Sequence, residues 1–110
     1  LQYEEIFPKI QKSTIDTVSL ECHNSHVPFN LIELLRGKKV MIGAIDVATN
    51  RVETSEEVAN TLRKALEFVD VENLYPSTNC GMAPLSRNVA RKKLSALSAG
   101  AKIIRNELGI

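Results

Sequence analysis

Lys39-Val40-Met41-Ile42-Gly43-Ala44-Ile45-Asp46 is the segment that most narrows what this chain can fold into. It is a nearly continuous apolar run of strand length that ends on a carboxylate. A strand with one wet face alternates apolar and polar residues; an unbroken run fits a strand covered on both faces, as in parallel sheets. A parallel neighbour is reached only through a crossover, usually a helix. The run therefore calls for helices before and after it.

The flanking sequence supplies them. Upstream, Ile15 to Glu21 alternates with period two, a strand with Thr17, Ser19 and Glu21 on one face. Pro28 then opens a helix near its first turn, Leu31, Ile32, Leu34 and Leu35 give it an apolar stripe, and Gly37 ends it. Downstream, Thr54-Ser55-Glu56-Glu57 is a capping box, starting a helix through Val58, Leu62, Ala65, Leu66 and Val69. Asn73-Leu74-Tyr75 begins a short third strand ending near Ser77. Ser86 caps a long helix whose apolar positions run from Val89 through Leu94, Leu97, Ala101 and Ile104 to Leu108. Ahead of all this, Tyr3, Ile6, Phe7 and Ile10 predict a helix from Tyr3 to Lys12, with Pro8 imposing a kink or a late start. Three strand–helix units in series predict an α/β fold with a parallel sheet and right-handed crossovers.

Size and charge remove several classes of function. A chain of 110 residues makes one modest domain, spanning 1–110. A formal net charge of +1 leaves no electrostatic footprint for nucleic acid. Arg91-Lys92-Lys93, the densest basic run, is expected on a solvated helix face. No apolar stretch approaches the roughly 18 residues that span a bilayer, so no membrane partner is expected. The start, Leu1 to Glu5, shows no signal peptide. It also lacks an initiating Met, which points to a trimmed piece of something longer. Two cysteines, Cys22 and Cys80, make no disulfide framework, so a reducing cytoplasm is the expected location. Neither a dinucleotide nor a P-loop glycine motif occurs.

The chemistry-bearing residues gather after the strands: Glu21 to His26, Asp46 to Asn50 and Ser77 to Met82. Parallel α/β folds place their sites at that edge. Cys80, in Asn79-Cys80-Gly81-Met82, lies among loop formers ahead of a helix, whose N-terminus would favour a thiolate; a small packed residue is the plain alternative. Glu21 ends a polar strand face, and a carboxylate there needs a partner, a proton or a metal. A rival set for zinc is Cys22, His23, His26 and Cys80, at a spacing that matches no established zinc motif. Alternation turns Cys22 away from Glu21, so packing is its expected role. Asp46 either bonds the loop from Val47 to Asn50 or orients a substrate amine. Ser25, Asn50 and Asn79 are further polar candidates. A nucleophilic pair of Cys80 with His23 or His26 has no spacing to support it.

Ser19-Leu20-Glu21, Gly43-Ala44-Ile45-Asp46 and Asn79-Cys80-Gly81-Met82, in that order and spacing, resemble the C-terminal catalytic domain of cobalamin-independent methionine synthase. Val40 to Asn50 and Leu74 to Arg87 look especially like its short, single-barrel bacterial type. The resemblance covers almost the whole chain. It implies the C-terminal three strand–helix units of a (β/α)8 TIM barrel, and a zinc methyltransferase moving a methyl group from methyltetrahydropteroyl-glutamate, a folate, to the thiol of homocysteine. Glu21 and Cys80 would be two zinc ligands, and Asp46 would lie near the amino acid. The family's other two ligands, a His-x-Cys pair on an earlier strand, are not in this sequence. Where the synthases carry a histidine as proton donor, this chain has Ala48. A complete barrel needs at least roughly 200 residues, so the remaining partner is expected to be the rest of the barrel or further copies of the chain. Two alternatives remain: a non-catalytic fragment that self-associates, and a related zinc methyltransferase with another donor, such as a methylated corrinoid.

Overall fold

The computed structural model describes residues 3–23 and 27–110. Helix α1 (Tyr3–Gln11) leads, followed by β1 (Thr17–Glu21), a 3-10 helix (Phe29–Leu35), β2 (Lys39–Ile45), α2 (Ser55–Ala65), a 3-10 turn (Val71–Asn73), β3 (Leu74–Thr78) and α3 (Arg87–Leu108). α1 starts at Tyr3 and carries Pro8 inside it, so there is no late start. Its Phe7 is buried and stacks on Tyr3 with ring centroids 5.3 Å apart.

The first crossover differs from expectation. The segment behind Pro28 is a 3-10 helix, closed by bonds such as Leu31 N–H to Pro28 O at 3.1 Å. At three residues per turn, residues three apart share a face. Ile32 and Leu35 accordingly sit buried one above the other, while Leu34 is pushed outward. Gly37, at φ 89°, turns the chain into β2, a conformation that favours glycine. α2 has the expected capping box: Thr54 Oγ1 accepts from Glu57 N–H at 3.1 Å, and the Glu57 carboxylate accepts from Thr54 N–H at 3.3 Å. Ser86 likewise accepts from Val89 N–H to start α3.

The strands are parallel and lie in sequence order, β1-β2-β3. Right-handed crossovers between successive neighbours put every connection on the same side of a sheet. Val40, Ile42 and Ala44 face that side and are fully buried with Val58, Ala59, Leu62 and Ala65 of α2 and Ala96, Ala101 and Ile104 of α3. The opposite face is open. There Thr17 pairs with Lys39, Ser19 with Met41 and Met41 with Tyr75, and all are exposed, Met41 by 38% and Tyr75 by 44%. β2 is thus covered on both faces only toward its end, not along its whole length as its apolar run predicts.

Between β2 and β3 the register slips. Gly43 pairs with Ser77, but Ile45 pairs with Thr78, so β2 holds one extra residue there. Such a bulge shifts the alternation and re-aims the side chains beyond it. Odd positions point to the open face up to Gly43, yet Ile45 is fully buried. No helix among the described residues is long and apolar enough to cross a membrane.

Candidate functional site at the carboxyl edge

Parallel strands end on one edge, and there the sheet presents Glu21, Asp46 and Cys80. Glu21 is the last residue of β1 and pairs with Gly43. Cys80 follows β3, three residues past Ser77, which pairs with Gly43 from the other side. Glu21 and Cys80 therefore flank β2, with Cys80 farther along the strand direction than Glu21. Both side chains are exposed, and neither has a hydrogen-bond or ion-pair partner among the described residues. The turn that holds Cys80 is tied down by Thr78, whose hydroxyl donates to Cys80 O at 2.8 Å. Helix α3 begins only at Arg87, beyond the 79–86 loop, so Cys80 is not in its first turn. The helix-terminus argument for its thiolate does not hold here.

Between the two donors lies Asn79, 8% exposed. Its backbone N–H continues the sheet to Ile45 O at 2.8 Å. Its carboxamide lies across Gly43, in the space a Cβ on residue 43 would occupy, and its Oδ1 is buried without a hydrogen-bond partner among the described residues. Only a glycine at 43 lets β3's end close over β2 in this way.

Asp46 does what the plain reading expects of its carboxylate: Oδ1 accepts from Ala48 N–H at 2.9 Å, an Asx turn. Its backbone is held by a pair of residues that sequence reasoning missed. The Asp46 N–H donates to Glu53 Oε2 at 2.9 Å, and Lys93 Nζ donates to Asp46 O at 2.8 Å. Lys93 is wholly buried and Glu53 2% exposed, joined at 3.0 Å. The solvated-face expectation for Arg91-Lys92-Lys93 is therefore wrong at Lys93, although Arg91 and Lys92 are exposed. On α3, Lys93 shares the buried stripe with Ala96 and Gly100, at spacings of three and four; that spacing was the available signal.

Cys22 packs in the core, and burial pushes its thiol pKa up to about 12. His23 turns toward Glu53, with Nε2 3.9 Å from Oε2. The Cys22–His23–Cys80 arrangement is thus not assembled, and His26 and Ser25 lie outside the described residues. Asn50 is exposed in the loop after Asp46. Among the described residues no three His, Cys, Asp or Glu side chains gather as a metal cage. Glu21 and Cys80 remain, as a carboxylate and a thiol on either side of one strand end. Both are residue types that zinc accepts as ligands.

These features place the chain among parallel α/β proteins whose sites form beyond the carboxyl ends of the strands. Comparison with known proteins carries the assignment further. The model of the cobalamin-independent synthase catalytic domain matches residues 1–103. A methionine synthase of Saccharolobus islandicus is 35% identical over 113 residues, covering 97% of this chain and 33% of the relative. One from Sulfurisphaera tokodaii is 33% identical over 97% of the chain and 32% of its own length. A B12-independent methionine synthase from Shewanella sp. W3-18-1, solved in complex with selenomethionine, superposes with a TM-score of 0.94 at 73% identity, over 97% of this chain and 31% of that one. The chain belongs to the cobalamin-independent synthase catalytic-domain family. It spans about a third of the length of these relatives.

Proposed function

We propose that residues 1–110 are the C-terminal three strand–helix units of one (β/α)8 barrel domain. In that barrel Glu21 and Cys80 bind zinc and Asp46 holds an amino-acid substrate. The reaction is transfer of a methyl group from methyltetrahydropteroyl-glutamate to the thiol of homocysteine, giving methionine. The observation that carries this reading is the placement of Glu21 and Cys80, partnerless among the described residues, on either side of Gly43 at the carboxyl edge of a sheet wound on one side.

The winding supports the barrel. Strands in sequence order with all crossovers on one face are what a closing barrel requires, and the open face bearing Met41 and Tyr75 would become its interior. Zinc, when bound, would supply a positive charge that favours the thiolate of a substrate. This chain's own residues do the remaining work. Glu21 and Cys80 approach from the two sides of β2. Asn79 packs the gap between them, and its buried Oδ1 has no hydrogen-bond partner among the described residues. Asp46 accepts from the substrate ammonium while its Asx turn fixes the carboxylate. The new sulfur–carbon bond forms as the donor's nitrogen–carbon bond breaks, and the departing nitrogen takes up a proton. Ala48 cannot give that proton, which keeps a second reading open: the same zinc chemistry with a methylated corrinoid as donor. The two free thiols, Cys22 and Cys80, support a reducing, cytoplasmic setting.

The test is methionine formation by the full-length protein from homocysteine with either donor, zinc-replete and after chelation. Glu21→Gln and Cys80→Ser should each lower zinc content and turnover together. Full zinc content and turnover in Cys80→Ser would reject the ligand assignment. Turnover with the corrinoid alone would reject the folate. The isolated 110-residue piece is expected to be inactive.

A further inference from the structure

Glu53 and Lys93 are the charged side chains that the described fold buries most deeply. Their contacts converge on one short stretch of backbone. Lys93 Nζ donates to Asp46 O at 2.8 Å, Arg51 O at 2.6 Å and Glu53 Oε1 at 3.0 Å. An ammonium has three hydrogens, so all are used; Lys93 has none left for a substrate and no role as a nucleophile. Glu53 completes the grip. Its Oε2 accepts the N–H of Asp46 at 2.9 Å and faces His23, two residues past Glu21, across 3.9 Å. Both backbone polar groups of Asp46 are thus held by one buried ion pair reaching in from α3 and from the β2–α2 loop.

Stability alone does not account for such a pair. Desolvating two charges costs about as much as their attraction returns, and apolar residues of the same volume fill such a space equally well. Apolar residues, however, cannot bond three backbone groups between Asp46 and Arg51. We propose that Lys93 and Glu53 are positioning residues. They lock the backbone at Asp46 so that its carboxylate meets the ammonium group of the amino-acid substrate in a fixed place. The inference rests on the reading of Asp46 given above.

The deciding variant is Glu53→Gln with Lys93→Met in the full-length protein, which removes both charges and leaves neither buried alone. Hydrogen exchange followed by mass spectrometry should show faster exchange in peptides covering 44–54, with 87–108 as protected as before. KM for the amino acid should rise on the order of tenfold, with kcat changed less. In an Asp46→Ala background the same double change should add nothing to KM, because the clamp acts through Asp46. Native protection of 44–54, or KM effects that multiply with Asp46→Ala, would overturn the proposal. If the double variant does not fold, Glu53→Asp carries the same measurements: it keeps a carboxylate to pair with Lys93, while a side chain shorter by one carbon cannot span both Lys93 Nζ and the Asp46 N–H. Should the native protein make no methionine with either donor, the functional reading fails. Binding of the product amino acid, by calorimetry, then takes the place of KM, and the exchange comparison still decides the clamp.

Discussion

Gly43→Ala puts the geometry of the edge to a sharp test. A Cβ on residue 43 would sit 2.9 Å from Leu20 O and 2.9 Å from Asn79 Cα, besides meeting the Asn79 carboxamide. Comfortable contact begins near 3.5 Å, so each neighbour has to retreat by about half an ångström. The carboxamide can rotate, but the other two atoms are backbone and move only with their strands. Forcing a methyl group into such a place costs about 1–3 kcal/mol. In a domain the size of the proposed barrel that corresponds to roughly 2–4 °C in Tm per kcal/mol, so the middle of the range gives a fall of about 4–8 °C. The displaced atoms adjoin the donors: Leu20 precedes Glu21 and Asn79 precedes Cys80. Zinc affinity, read by competition with a chromogenic chelator, should fall by about 10–100-fold, as for other changes in the support of metal ligands. Gly81→Ala supplies the control. It makes the same substitution beside Cys80, but nothing lies within 4 Å of its Cβ. Its stability should stay within about 0.5 kcal/mol of native, with zinc affinity unchanged. Native Tm and zinc affinity in Gly43→Ala, or equal damage from Gly81→Ala, would refute the packing argument and the place it gives the two proposed ligands.

Lys93→Met alone strands the Glu53 carboxylate and should cost about 3–5 kcal/mol, much of it regained by adding Glu53→Gln; thermal unfolding of both variants checks this. Thr54→Ala removes the acceptor for Glu57 N–H and should cost about 1 kcal/mol, a small fall in Tm with kinetics unaltered. Cys22 holds its proton more tightly folded than unfolded, because burial raises its pKa from 9.0 to about 12. The stability this contributes is complete below about pH 9 and drains away as pH climbs toward 12, so Cys22→Ala should show a shallower loss of stability over that window. Alkylation of the native protein at pH 8 should mark the exposed Cys80 and spare Cys22, with zinc protecting Cys80.

The elements whose signals are local were legible in the sequence. The capping box at Thr54, the Ser86 cap, the alternation of β1 and the glycine stop at Gly37 each act within a few residues, and each stands in the fold as read. Cys22 and Glu21 fall on opposite faces because period two leaves no other outcome. What escaped depends on partners far along the chain. A lysine in Arg91-Lys92-Lys93 looks solvated until Glu53, forty positions earlier, is known to meet it. The 3-10 geometry at Phe29–Leu35 was hidden because Leu31, Ile32, Leu34 and Leu35 satisfy three residues per turn as well as 3.6. The bulge at Gly43 to Ile45 is a property of the β2–β3 pair and has no counterpart in either strand alone.

That bulge also bears on why the proposed ligands differ in length. β1 stops at the level of Gly43, whereas β2 runs on to Ile45 and β3 to Thr78, Ile45's partner. Glu21 therefore starts from a lower step of the edge than Asp46 or Cys80. A strand climbs about 3.3 Å per residue, so the step is worth about two residues of rise on β2. A glutamate reaches about 2 Å farther from its Cα than a cysteine, so a long side chain on the low step narrows the difference in level without closing it. Aspartate at 21 would give up one carbon–carbon bond of that reach, about 1.5 Å, on a scale where zinc–ligand distances hold to a few tenths of an ångström. The slip in register sets which face Ile45 takes, and the early end of β1 sets the low starting point of Glu21. An arrangement that reads in sequence as three similar strand ends is, in the fold, a staircase, with Glu21 on a lower step than Asp46 and Cys80.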